Sequence, residues 1–136
     1  MRGLVVDASV VLRYLLRGDD GFKSLLKKVK ENRFELVSLK LLDWEAGNGL
    51  RFGLRNEKKS LELFELYLEL PIRKVDLNRF LWREVLEKAY VNQTTVYDTA
   101  YHVLAISLGW KFLTRDLKYA QKAEKLGFLE VWSEGV

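Results

Sequence analysis

The chain has 136 residues, of which 49% are hydrophobic and 31% charged, and it contains no cysteine. This composition is typical of one folded domain with a buried core, which we expect to span residues 1–136. Without cysteine the chain can form no disulfide, thiolate metal site or cysteine nucleophile. The formal net charge of +4 weakly favours an acidic partner such as nucleic acid, but an ordinary mixed-charge surface explains it equally well.

The sequence predicts neither a signal peptide at the start of the chain nor a membrane-spanning segment. The first residues, Met1 to Asp7, lack the apolar stretch and cleavage site of a signal peptide. No apolar run approaches the ~20 residues that are needed to cross a bilayer. We therefore expect no membrane association and a location in the cytoplasm.

Short apolar runs alternate with segments of helical periodicity along the chain. The apolar runs predict strands at residues 3–6, 35–38, 71–75, 111–113 and 129–131. The periodic segments predict helices at residues 9–16, 22–31, 39–54, 57–68, 77–90, 95–108 and 117–126. Gly18 is the expected stop of the first helix, and Asp76 the expected N-cap of the fifth. This alternation favours an α/β fold with a parallel sheet covered by helices on both faces.

Two aspartates follow predicted strands directly or nearly so. Asp7 ends the first strand, and Asp116 comes three residues after Leu113. In parallel sheets the ligand crevice lies at the carboxyl ends of the strands, so both residues are candidates for chemistry. Each also has a purely structural alternative as an N-cap, although Ser9 could replace Asp7 in that role.

Two further acids lie within predicted helices. Asp98 follows Thr95 by three residues, a near match to a capping box, so a capping role is open for it as well. Glu45 has only apolar or small neighbours, apart from one asparagine, at helical spacing, and a carboxylate on such an inward face is unfavourable unless it is compensated. The alternative is a helix that ends near Gly47 and leaves Glu45 solvated. The same segment contains three helix-weakening glycines, which suggest close backbone packing: Gly47, Gly49 and Gly53.

Four carboxylates at one site would need compensation. At spacings of about 5 Å their mutual repulsion is on the order of 20 kcal/mol, which exceeds a typical domain stability of roughly 5–15 kcal/mol. Such a site must hold protons or a cation. Oxygen ligands alone favour Mg²⁺ or Mn²⁺, whereas zinc is disfavoured by the absence of cysteine and the single histidine.

Four segments in this order resemble the motifs of the PIN-domain family, and more closely the VapC-type toxins of prokaryotic toxin–antitoxin pairs. They are DAS at 7–9, EAGN at 45–48, YDTAY at 97–101 and TRD at 114–116. The resemblance covers essentially the whole chain. It implies a three-layer sandwich with a central parallel sheet, Mg²⁺- or Mn²⁺-dependent cleavage of single-stranded RNA, a partner antitoxin and a homodimer.

The resemblance also assigns residues. The matching metal-binding and catalytic acids are Asp7, Glu45, Asp98 and Asp116. The matching small or polar supporting residues are Ser9, Asn48 and Thr114. A further acidic or small polar residue is common just after the fourth acid, but Leu117 and Lys118 stand there, so the number of metal ions stays open.

Basic and aromatic residues near these acids are candidates for RNA contacts. The basic ones are Arg13, Arg17, Arg115 and Lys118, and a solvated helix flank is an equal alternative for the first two. His102 lies four residues after Asp98 and could orient a carboxylate or contact RNA, or could be an ordinary surface or boundary residue. The tryptophans could stack on bases or act as buried anchors: Trp44, Trp82, Trp110 and Trp132.

The helix predicted at 57–68 carries more apolar residues than one contact with the core requires, which agrees with a homodimer.

Other interpretations of the function have less support. A haloacid-dehalogenase phosphatase would need an aspartate where Ser9 stands, and no glycine-rich loop for nucleotides is present. The main alternative is a PIN-like module that binds RNA or protein without cutting.

Overall fold

A computed structural model describes residues 2–132, which form five strands and seven helices. The strands are β1 (Gly3–Val6), β2 (Glu35–Leu39), β3 (Ile72–Val75), β4 (Lys111–Thr114) and β5 (Leu129–Val131). The helices are α1 (Ala8–Arg17), α2 (Asp20–Lys30), α3 (Leu41–Gly53), α4 (Glu57–Leu68), α5 (Arg79–Asn92), α6 (Val96–Leu108) and α7 (Leu117–Ala123). None of these helices is long and apolar enough to span a membrane.

All five strands are parallel, and they form one sheet in the order β3-β2-β1-β4-β5. After β1 the chain places β2 and β3 on one side of it, and then β4 and β5 on the other side. The strand order therefore reverses between β1 and β4. Such a reversal leaves a crevice at the carboxyl ends of the strands. Val6 pairs in register with Leu113, and the next residues, Asp7 and Thr114, therefore meet at this crevice.

The core is divided by the sheet into two layers. Along β1, Leu4 and Val6 join the cluster with α1 to α4, whereas Val5 joins the cluster with α5 to α7. Side chains of a strand alternate between the two faces, so one apolar strand supplies both layers. The three-layer sandwich predicted from the sequence is therefore confirmed.

The start of α5 differs from the sequence prediction. The N-cap is Asn78, whose side chain accepts from the Leu81 amide at 2.9 Å, and not Asp76. Leu77 is buried, so the chain turns inward once more after β3 before the helix can begin. Asp76 is exposed and forms a salt bridge of 3.1 Å with Lys40.

The glycines of α3 have different roles. A Cβ on Gly49 would overlap the Leu12 side chain of α1, whereas a Cβ on Gly47 would meet only the Phe64 ring at 3.6 Å. Helix α3 also continues to Gly53, so it does not end early near Gly47. Close packing of α1 on α3 thus depends on Gly49, and it holds Glu45 near the start of α1.

These contacts predict opposite effects for two alanine substitutions on the same helix. Gly49→Ala should lower the unfolding free energy by about 1–3 kcal/mol, because Leu12 must move in a packed core. Gly47→Ala should raise it by up to about 1 kcal/mol through helix propensity. Denaturant unfolding of both variants measures the difference, and a Gly49→Ala variant as stable as Gly47→Ala would contradict the packing argument.

Candidate active site

Asp7 is buried at the carboxyl end of β1 and is held by three hydrogen bonds. Its Oδ1 accepts from the Ser9 hydroxyl at 2.6 Å and from the Val10 amide at 3.3 Å. Its Oδ2 accepts from the Thr114 hydroxyl at 2.7 Å. The Val10 contact makes Asp7 the N-cap of α1, so the structural role considered from the sequence coexists with the candidate site.

Glu45 lies in the first half of α3. It is half-buried, and its Oε1 accepts a hydrogen bond of 2.5 Å from the hydroxyl of Tyr101, a fully buried residue of α6. Charge-assisted hydrogen bonds of this length are strong and directional. Tyr101 therefore fixes which way the Glu45 carboxylate points.

Asp98 and Asp116 lie at the starts of two helices and share a crevice of about 320 Å³. Thr95 caps α6: its hydroxyl accepts from the Asp98 amide and donates to Asp98 Oδ2, both at 3.2 Å. Asp116 caps α7 by accepting from the Tyr119 amide at 3.0 Å. Both helices begin at the carboxyl edge of the sheet, which places these two acids beside Asp7.

The four carboxylates influence one another through Asp98. Burial raises the pKa of Asp7 to about 6, against hydrogen bonds from Ser9 and Thr114 that lower it, and Asp98 raises it further. Burial and then Asp98 raise the pKa of Glu45, against the bond from Tyr101. Burial and then Asp116 raise the pKa of Asp98. Asp98 is thus the common neighbour through which the other three acids are linked.

The chemistry of this set fits a hard divalent cation, because all four charged groups are carboxylates near one edge of the sheet, although only Asp98 and Asp116 line the crevice itself. Mutual repulsion is the cost that such a cation removes. Within residues 2–132, however, no three carboxylate or imidazole groups converge closely enough to form a ready ligand set. The four acids therefore suit a divalent cation by the chemistry of their donor atoms and their position near one edge of the sheet, and not by a preformed coordination geometry.

Arg115 differs from its sequence-based role as an RNA-binding residue. Its guanidinium forms a salt bridge of 2.5 Å with Asp19, and the two side chains are only 8% and 6% exposed. The guanidinium also lies 6.0 Å from the ring centre of Trp132. Burial alone would raise the pKa of Asp19, but the Phe22 amide and Arg115 lower it below its ordinary value. Arg115 is thus part of the interior and not of an RNA-binding rim.

His102 is also interior. Its ring is fully buried, with Nε2 2.7 Å from the Gly127 carbonyl and Nδ1 2.7 Å from the Tyr119 hydroxyl. The carbonyl can only accept, so Nε2 carries the hydrogen and the neutral ring accepts from Tyr119 at Nδ1. Burial lowers the pKa of His102. His102 joins α6 to α7, and both of its ring nitrogens are occupied by these internal contacts.

The other predicted contact residues differ in exposure. Arg17 and Lys118 are exposed, Arg13 is half-buried and Asn48 is exposed on α3. Lys118 lies in the crevice of Asp98 and Asp116. Among the tryptophans, the first two are exposed, and the last two are partly buried against the core: Trp44, Trp82, Trp110 and Trp132.

Two residues of the site were not found from the sequence. Tyr101 lies three residues after Asp98, so helical spacing could have placed it on the same face. Asp19 is separated by 96 positions from its partner Arg115, and no local pattern connects them. Tyr101 orients a candidate ligand, and Asp19 fixes the loop before Asp116.

The raised pKa of Asp7 predicts a pH-dependent stability. The rise from 3.8 to about 6 corresponds to about 3 kcal/mol of unfolding free energy. This contribution is fully present below pH 3.8 and is lost as the pH rises through about 6, because the unfolded chain releases the proton first. The stability of the parent relative to Asp7→Asn should fall by about that amount between pH 4 and pH 7.

Denaturant titrations of both proteins in EDTA measure this difference. The carboxylates with raised pKa that remain, Glu45 and Asp98, are common to both proteins and largely cancel. A difference in stability that does not change with pH would contradict the assignment.

Comparisons with known proteins agree with the geometry. Residues 4–125 match the family model of the PIN domain. Ribonuclease VapC3 of Pyrobaculum aerophilum is 31% identical over 124 residues, which cover 88% of this chain and 93% of the relative.

Two solved structures share the fold. The VapBC2 complex of Rickettsia felis, bound to a DNA fragment from its promoter, matches with a TM-score of 0.71 at 11% identity, over 96% of this chain and 98% of the other. VapBC-1 of nontypeable Haemophilus influenzae matches with a TM-score of 0.65 at 18% identity, over 96% and 98%. With the motifs in order, the sheet topology and the family model in agreement, the chain belongs to the PIN-domain family.

Proposed function

We propose that this protein is an endoribonuclease that cleaves single-stranded RNA with Mg²⁺ or Mn²⁺, and that it is the toxin of a toxin–antitoxin pair. The observation that best supports this proposal is a group of four carboxylates near the strand-order reversal, in which Asp98 interacts electrostatically with the other three. The name of the relative VapC3, which aligns over nearly its whole length, supports the choice of RNA. We also propose a location in the cytoplasm, where such a substrate and partner would be met.

Each acid has a distinct supporting environment. A bound divalent cation would lower the pKa of a water molecule and offset charge on the attacked phosphate. Ser9 and Thr114 hold Asp7 in place, and Tyr101 orients Glu45. Glu45 and Asp98 both have a raised pKa, which makes each a stronger base than an ordinary carboxylate, so either could accept a proton from water.

Phosphate must reach an acidic crevice, so nearby cations have to contribute. Lys118 and Lys122 line the same crevice as Asp98 and Asp116. Arg17 is exposed at the end of α1. We assign these three side chains to the RNA-binding rim, in which Arg115 and His102 have no part because both are buried in internal contacts.

Cleavage should depend on Asp98 more than binding does. Asp98→Asn should reduce cleavage of a labelled 20-nucleotide RNA by at least about 100-fold, the scale of a lost general base. RNA binding should persist or strengthen, because one negative charge is removed. Asp20→Asn is the matched control, since Asp20 is exposed on α2.

EDTA should stop cleavage by the parent, and excess Mg²⁺ or Mn²⁺ should restore it. Cleavage that survives chelation would overturn the metal-dependent mechanism. Binding of RNA without cleavage by the parent under any of these conditions would favour the non-catalytic alternative.

A groove between α3 and α4 suits the antitoxin. It has a volume of about 790 Å³ and is lined by apolar side chains with arginines beside them. The apolar residues are Leu50, Leu54, Leu61 and Phe64, and the arginines are Arg51 and Arg55. An amphipathic segment with acidic flanks would complement this lining. The structural neighbours that contain VapB with VapC support a partner of this kind.

A separate apolar stripe suits a second copy of the chain. On α5, Trp82, Leu86 and Tyr90 follow at four-residue steps and are 46%, 52% and 79% exposed. On α4, from which we predicted dimerisation, Leu63 and Phe64 pack against the core. The exposed leucines of α4 do not follow at regular four-residue steps: Leu61, Leu66 and Leu68. The apolar excess that an interface requires is therefore more continuous on α5.

One pair of variants separates these two surfaces. Leu86→Asp should convert a dimer to a monomer in light scattering at tens of micromolar, roughly the range of weak association, and should still bind the small protein encoded beside this gene. Leu61→Asp should no longer bind that small protein but should remain a dimer. A monomeric parent would contradict the dimer, and retained partner binding by Leu61→Asp would contradict the groove.

A further inference from the structure

A second concave surface lies at the opposite, amino edge of the sheet. It has a volume of about 740 Å³ and is formed where β1, β2 and β4 begin. We name it the amino-edge cleft, and the lining residues that define it are Arg2, Lys28, Arg33, Phe34, Trp110 and Lys111. None of the four acids of the candidate active site belongs to its lining.

The amino-edge cleft concentrates positive charge. Four of its eleven lining residues are Lys or Arg, compared with 23 of 136 in the chain, and one is acidic, compared with 19 of 136. The end of α2 accounts for Lys28, since lysines there offset the helix dipole. It does not account for Arg2 or Lys111, which come from other segments and converge on the same space.

The acidic groups near the cleft reduce this excess but do not cancel it. Arg33 forms an exposed salt bridge of 2.7 Å with Glu31. Glu130, the acidic lining residue, accepts a hydrogen bond of 3.0 Å from the Trp132 indole. Cations that outnumber the acids around a cavity attract a polyanion.

The floor of the cleft includes a fixed aromatic ring. A Cβ on Gly3 would lie 2.5 Å from the Trp110 ring and 2.5 Å from the Glu35 carbonyl, so the indole packs directly on the first residue of β1. Trp110 is partly buried and lines the cleft together with Phe34. Aromatic rings bordered by cations are the combination that binds single-stranded nucleic acid, through base stacking and phosphate neutralisation.

We propose that the amino-edge cleft binds a single-stranded segment of the RNA substrate, away from the bond that is cut. The proposal rests on the proposed ribonuclease function, which supplies RNA as the ligand. The four residues of β1 separate the two edges of the sheet by about 13 Å in a straight line, but helices cover both faces, so a bound strand must follow a much longer path over the helical layers. An RNA of a few nucleotides therefore reaches one edge only, whereas a longer strand engages both.

The test compares a labelled 20-nucleotide RNA with a labelled hexanucleotide of the same bases. Binding is measured by anisotropy over a salt titration, with each variant made in an Asp98→Asn background to prevent cleavage. Lys28→Gln/Lys111→Gln should bind the 20-nucleotide RNA more weakly and reduce the slope of log affinity against log salt by about 1.4, for two phosphates lost. Lys58→Gln/Lys59→Gln, on α4, is the matched control and should behave as the parent.

Stacking has its own measurement. Trp110→Leu should weaken binding of the 20-nucleotide RNA at every salt concentration and leave the slope unchanged, whereas Trp110→Phe should retain most of the affinity. If Trp110→Leu fails to fold, the lysine variant still decides the proposal. Cleavage of the hexanucleotide, measured with Asp98 intact, should be the same for the lysine variant and the parent.

The outcomes separate the two hypotheses. A lysine variant that binds the 20-nucleotide RNA with the parent's affinity and slope overturns the amino-edge site, even where cleavage is normal. A parent that cuts neither RNA in Mg²⁺ or Mn²⁺ overturns the proposed function, and the binding titration still reports on the cleft.

Discussion

The buried carboxylate of Asp7 orders the hydrogen bonds at the carboxyl edge of the sheet. Because Asp7 accepts from the hydroxyls of both Ser9 and Thr114, the oxygens of those hydroxyls are left to accept from backbone amides. Ser9 accepts from the Arg115 amide at 2.9 Å, and Thr114 from the Asp116 amide at 3.1 Å. The negative charge of Asp7 thus makes both hydroxyls donate towards it and accept from the backbone, and this fixes the loop that places Asp116. Burial also raises the pKa of Asp7. The hydrogen bonds at this edge therefore depend on whether the Asp7 carboxylate is charged.

The salt bridge between Asp19 and Arg115 closes this loop from the other side. Asp19 caps α2 by accepting from the Phe22 amide at 3.0 Å, so the pair ties α2 to the segment between Thr114 and Asp116. Removing one partner of a buried ion pair leaves an uncompensated charge and typically costs about 3–5 kcal/mol. Arg115 therefore acts in the interior, where it holds the loop, whereas the lysines of α7 are exposed and are the ones that would contact phosphate in the proposed function.

The sequence predicted those features that depend on neighbouring residues. Buried parallel strands are short apolar runs, so the strands and the acids that end them could be located. Pairing over long distances could not be predicted: Arg115 suggested an RNA contact because Asp19 is far away in the chain. His102 shares a helix with Asp98, but the rotation of α6 directs its ring to Tyr119 and Gly127. Asp76 lost its capping role because burial of Leu77 delays the start of α5.

The placement of the charged residues indicates more about function than the net charge does. The net charge of +4 is small, yet acids gather at one edge of the sheet and cations at the other. The two edges are separated by about 13 Å, and the screening length in physiological salt is about 8 Å. Cations of the amino-edge cleft therefore cannot offset the repulsion that the carboxylates exert on phosphate. In the proposed ribonuclease, that repulsion would be overcome locally, by Lys118, Lys122 and a bound cation. The proposed role of the distant cleft is different, because an RNA held there would have a high effective concentration at the carboxyl edge.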